Sequence, residues 1–178
     1  IKMAGTVGDF TGPAFELVEA GTITWFNFDL YDDFGLDFGG TGQHVLISGG
    51  PDFTAPFTIE AWVNPSNVGS GTIVGWDLDA GSGEYATFGF ASGALQIYAE
   101  DGIYGGPFND TQQTPILNWT HAAVTYNGAA FHFYINGKPT ASGLPVGSVG
   151  GSPNNLYIGS RNGSAEFFRG IMDEVSIL

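Results

Sequence analysis

A chain of 178 residues that is 43% hydrophobic can bury a real core and falls within the size of one domain. Four Lys and Arg against 18 Asp and Glu give a formal charge of −14, a field that repels phosphate backbones and anionic lipid headgroups and so argues against nucleic acid or a membrane surface as partner. The absence of cysteine excludes disulfides, thiolate metal sites and a cysteine nucleophile, and no apolar run approaches the ~20 residues of a membrane span.

The chain begins IKMAGTVGDF, without the pattern of an export signal, so any such signal is expected outside it. Residues 1–21 are Gly-rich with isolated apolar positions, and Phe10, Phe15, Leu17 and Val18 would be costly to leave in water. They are expected to form an edge strand or an extended arm, either on this domain or reaching a second copy. From residue 22 on, 29 glycines and 9 prolines, counted over the whole chain, fall between short apolar runs rather than in one block, which predicts many strands joined by turns and no helix. In order, the predicted strands are 22–28, 35–38, 45–48, 57–64, 71–77, 85–91, 94–100, 119–126, 130–135, 156–160 and 168–178. The acidic stretch from Asp77 to Glu84 lacks the third acid and the bidentate Glu of a calcium loop, and reads as a solvated hairpin tip. Between Asp101 and Pro115 no alternation is visible, so a long loop is expected there.

The clearest pattern runs from Trp119 to Lys138. In WTHAAVTYNG, Ala122, Val124 and Tyr126 share one side and His121, Ala123 and Thr125 the other; in FHFYINGK, Phe131, Phe133 and Ile135 oppose His132 and Tyr134. Asn127-Gly128 and Asn136-Gly137 supply the positive φ that tight hairpin turns require.

These motifs, with LDFGGTGQHVLIS and PFTIEAWVNP upstream and LYIG and FRGIMDEVSI downstream, resemble the laminin G-like, concanavalin A-like domains over residues 36–178. The resemblance implies an all-β, two-sheet antiparallel jelly-roll sandwich spanning residues 22–178, with 1–21 as the added arm. It also implies a structural calcium ion: Asp173 would supply a carboxylate, Gly40 a carbonyl and Asp29 a further ligand, donors suited to Ca²⁺. Where the family often places carboxylates in the early loop, this chain has Gly39-Gly40 and Gln43-His44. The alternative role for Asp173 is to accept backbone N–H bonds in a turn.

Fold resemblance alone does not fix function. Aromatic rings stack on the C–H faces of sugars while Gln, Glu and His bond their hydroxyls, which makes two regions candidates for a glycan platform. One is a sheet face carrying Gln96, Tyr98 and Glu100 together with His121, Thr125, His132 and Tyr134. The other is the set of tip loops around Trp76, Asp77, Tyr104 and Phe108. Catalysis is not expected, because the carboxylate run E-x-D-x-x-E is absent, Glu60 and Glu100 stand alone on their strands, and no G-x-S-x-G occurs. Sequons stand at Asn109, Asn118 and Asn162; Asn118, beside a Trp119 expected in the core, suits glycosylation least.

The sequence thus points to a non-catalytic, calcium-stabilised module outside the cell, on a cell surface or on a virion, with a glycan or glycoprotein surface as its partner. The rival is a structural subunit of a virion, fibre or surface layer that forms homo-oligomers through residues 1–21.

Overall fold

The computed structural model describes residues 2–3, 15–16, 22–25, 29–30, 35–78, 85–100, 105–143 and 155–178, with side chains described at 35–78, 85–99, 109–143 and 155–178. These residues form two antiparallel sheets, and no helix occurs among them. The nine-stranded sheet runs β14 (Lys138–Gly143), β13 (Phe131–Ile135), β12 (Thr120–Tyr126), β7 (Phe57–Pro65), β16 (Arg169–Ile177), β1 (Lys2–Met3) and β2 (Phe15–Glu16). Beside the first half of β16 lies β5 (Leu36–Gly39), with β4 (Asp29–Leu30) outside it. The seven-stranded sheet runs β11 (Gly105–Gln113), β10 (Ala94–Glu100), β9 (Tyr85–Ala91), β8 (Ser70–Asp77), β15 (Asn155–Ile158), β6 (Val45–Ser48) and β3 (Thr22–Trp25).

Alternation decides which side of each strand is buried. On β7 the phase is strict, with Phe57, Ile59, Ala61 and Val63 inward and Thr58, Glu60, Trp62 and Asn64 outward. Across the sandwich, Trp76, Phe88, Phe90, Leu95 and Ile97 supply the other half of the core. Aromatic contacts tie the core together: Phe53, in the connection between β6 and β7, stacks on Trp76 with centroids 4.4 Å apart, and Phe88 lies parallel to Phe133 across the sandwich at 6.4 Å. The turn between β13 and β14 has φ of 51° at Asn136 and 73° at Gly137, the two left-handed residues of a tight hairpin.

Two of the longer strands differ from the sequence expectation. The region expected to be a loop contains β11, an edge strand, where Pro107 is tolerated because only one side of the strand needs hydrogen bonds. Likewise β14, polar and partly exposed, carries no apolar alternation to announce it. Together they close one flank of the sandwich: the Thr140 hydroxyl donates to Asp110 Oδ2 at 2.6 Å, and Asp110 is 5% exposed. At the chain's start, Lys2 pairs with Ser176 and Met3 with Phe15, so part of the 1–21 segment runs along β16; residues 4–14 and 17–21 lie outside the described residues.

Candidate functional site

The outward face of the nine-stranded sheet is assembled row by row from cross-strand register. His121 on β12 stands opposite Trp62 on β7, and Trp62 opposite Asp173 on β16. One row over, Tyr134, Ala123 and Glu60 are aligned across β13, β12 and β7; beyond that come His132, Thr125 and Thr58. His132 and Tyr134 therefore do share a face with His121 and Thr125, the grouping expected from the sequence.

At its centre Trp62 is 38% exposed, an unusual position for the largest apolar side chain on a middle strand. The His121 ring lies 5.4 Å from it at 62°, and His121 Nε2 is 3.5 Å from Glu60 Oε2. The backbone under His121 is pinned by the neighbouring turn: its N–H donates to Asn136 Oδ1 at 2.9 Å, and its carbonyl accepts from the Asn136 N–H at 2.8 Å. Ring, imidazole and carboxylate are thus held together on rigid strands, a stacking surface flanked by a hydrogen-bonding pair. Ala123, opposite Glu60 on one side and Tyr134 on the other, keeps the side chain between them small.

The seven-stranded sheet presents a different outward face. Tyr85 and Tyr98 stack there, with centroids 5.7 Å apart. Arg161 lies 4.5 Å above the Tyr85 ring, and its Nη1 donates to Tyr85 Oη at 2.9 Å and to Glu166 Oε1 at 3.0 Å. Beneath it the backbone of Ser160 and Arg161 rests on the sheet, close enough that a Cβ on Gly75 would fall 2.4 Å from the Arg161 carbonyl oxygen. Asn155 donates to Asp77 Oδ2 at 3.1 Å; burial pushes the Asp77 carboxyl above its ordinary pKa, and this hydrogen bond offsets part of the rise. Tyr157 is likewise raised, first by burial and then by the charge of Asp77. Tyr98 and Asp77 are therefore engaged by neighbours, Tyr98 by the Tyr85 ring and Asp77 by Asn155.

Residues 38–178 match the concanavalin A-like lectin/glucanases superfamily. The chain belongs to it. Among solved structures, this superfamily member is similar to domain 4 of AbnA, an extracellular arabinanase of Geobacillus stearothermophilus, in complex with arabinotriose, at 19% identity and a TM-score of 0.67 over 88% of this chain and 81% of that one. It is also similar to domains LG4-5 of the mouse laminin α1 chain (16% identity, TM-score 0.60), covering 82% of this chain and 40% of the laminin fragment. A heptameric SAP-like pentraxin of Limulus polyphemus gives 17% identity and a TM-score of 0.60 over 79% of this chain and 73% of that one. No curated protein sequence matches the chain.

The folded sandwich corrects several positions expected from the sequence. Trp76, expected at a binding tip, is 0% exposed and stacked in the core, so no ligand reaches it. Trp119, expected in the core, is 37% exposed. Tyr98 and His132 with Tyr134 lie on opposite sheets, so they cannot form one platform. The calcium set also divides: Asp173 lies beside Gly35 whereas Gly40 contacts Arg169, at the two ends of β5. At about 3.3 Å per residue along a strand, the four steps from Leu36 to Gly40 span roughly 13 Å, too far for one ion to take both donors. Asp173 Oδ1 accepts from the Glu174 N–H at 2.7 Å, and no group of three potential metal-ligating side chains occurs among the described residues. Tyr104 and the side chains of Asp29, Glu100 and Phe108 lie outside the described residues.

Trp62 and Glu60 carried a signal in the sequence. In PFTIEAWVNP the tryptophan falls in the same phase as Thr58, Glu60 and Asn64, the polar side of the strand, and a core tryptophan would not.

Proposed function

We propose that this domain is a non-catalytic recognition module that acts outside the cell and binds neutral carbohydrate on the outward face of the nine-stranded sheet. The observation that carries the reading is the 38% exposed Trp62 on a middle strand, beside the His121 and Glu60 pair. The indole stacks on the C–H face of a sugar ring, and the imidazole and carboxylate take its hydroxyls. A net charge of −14 favours a neutral sugar over a sulfated one. The fold likeness to an arabinanase domain solved with arabinotriose supports the ligand class. Against catalysis, the positions two and four residues beyond Glu60 are Trp62 and Asn64, so β7 offers no second carboxylate to work with it.

Calcium enters this reading in amended form, without Gly40. The backbone of Asp29 pairs with Asp37, and Asp173 is two residues beyond Ile171, the next residue in that row. Chelator should then lower the melting temperature, and Asp173→Ala should abolish the response; an identical melt with and without chelator removes calcium from the account.

The function is tested on a glycan array, with each hit repeated for Trp62→Ala and in chelator. Saturable binding that Trp62→Ala weakens at least tenfold supports the reading. Folded protein that binds no glycan refutes it and leaves the structural subunit, whose signature is a concentration-independent oligomer.

A further inference from the structure

We infer that the site takes an oligosaccharide rather than a single sugar, held across two indoles, Trp62 and Trp119. The inference rests on the carbohydrate reading above and extends it to ligand length.

Two observations carry it. First, the chain has a second tryptophan exposed to the same degree, Trp119 at 37% against Trp62 at 38%. Second, the register puts both rings on one face. Thr120 pairs with Val63 and points inward at 1% exposure, so the preceding residue falls beside Asn64 and turns outward. The Leu117 N–H donates to the Pro65 carbonyl at 2.8 Å, which keeps the chain against β7 through this connection. Trp119 is therefore the diagonal neighbour of Trp62, at a backbone spacing of about 7–8 Å. The ring contact made by Trp62 is with His121 and not with Trp119, so each indole can take its own sugar.

The connection before Trp119 is organised for such a contact. Leu117 is 70% exposed with φ of 55°, and the Asn118 side chain donates to the Ile116 carbonyl at 2.8 Å, fixing the turn from which the indole projects. A single sugar covers one ring; two or more linked sugars cover both and gain a second stacking contact for one association.

Calorimetry with arabinose, arabinobiose and arabinotriose, and in parallel with glucose, cellobiose and cellotriose, tests the inference on wild type, Trp62→Ala, Trp119→Ala and Trp119→Phe, each checked for an unchanged fold by circular dichroism. Affinity should rise at least tenfold from the monosaccharide to the trisaccharide of the series that binds. Trp119→Ala should remove that gain with the monosaccharide affinity unaltered, and Trp119→Phe should restore most of it. A monosaccharide that binds as tightly as its trisaccharide, or chain-length dependence that survives Trp119→Ala, overturns the two-ring site while leaving the Trp62 reading in place. Binding undiminished in Trp62→Ala overturns both, as does folded protein that binds neither these series nor any glycan of the array.

Discussion

The outward faces of the two sheets draw on the same residue types, aromatic rings with carboxylates and a cation or imidazole, yet they are put to opposite uses. On the seven-stranded sheet the rings and carboxylate are engaged from within: Arg161, in the chain that folds back over Gly75, lies over Tyr85, Tyr85 stacks on Tyr98, Asn155 bonds Asp77, and His44 packs against Tyr157. On the nine-stranded sheet no described segment covers Trp62, which keeps more than a third of its surface in water. An aromatic cluster on a sheet thus signals a ligand only when its own chain leaves the rings uncovered.

Substitutions can break that comparison. The largest effect is expected from a residue on neither face: Trp76→Ala, which empties the stack on Phe53, should cost about 3–5 kcal/mol in urea unfolding. A smaller loss would return Trp76 to the surface. Next, Trp62→Ala should leave stability within ~1 kcal/mol yet weaken glycan binding at least tenfold, equivalent to about 1.4 kcal/mol. Arg161→Met should do the reverse. It removes the cation above Tyr85 and the bonds to Tyr85 and Glu166, costing about 1 kcal/mol with binding unchanged; weakened binding would place the ligand on the seven-stranded sheet instead.

The smallest effect concerns Asp77. Its pKa is raised by burial, so the folded state holds a proton to higher pH than the unfolded chain does, and the cost of the buried charge grows as pH rises through the raised value. Asp77→Asn keeps an oxygen to accept from Asn155 and removes the charge. Its melting temperature should therefore lie slightly above wild type at pH 7, with the gap closing as pH falls toward the ordinary carboxylate range. A gap that widens in acid would contradict the burial argument.

Much of the sandwich was legible because strict alternation and Asn-Gly turns act locally: the hairpin of β12 and β13 has the register that its apolar residues demand. Edge strands were not, since β11 and β14 need an apolar residue only where they cover the core, and their pairing is decided by neighbours far along the chain. The site was half legible. Side-chain phase within one strand placed Tyr134 with His132 and could have pointed to Trp62. It could not say that Tyr98 belongs to the other sheet, nor that β5 separates Gly40 from Asp173, because both depend on which strands lie side by side.

The bond between Thr140 and Asp110 has a consequence for behaviour in a crowd. Long edge strands are where β-proteins recruit one another, growing from monomer to polymer by strand addition. Here two such edges, β11 and β14, are turned toward each other and joined at that bond, with the Thr111 hydroxyl donating to the Thr140 carbonyl at 3.4 Å. The edges left among the described residues, β2, β3 and β4, are two to four residues long, poor templates for a further strand. Growth by strand addition therefore finds little to build on at any edge left among the described residues.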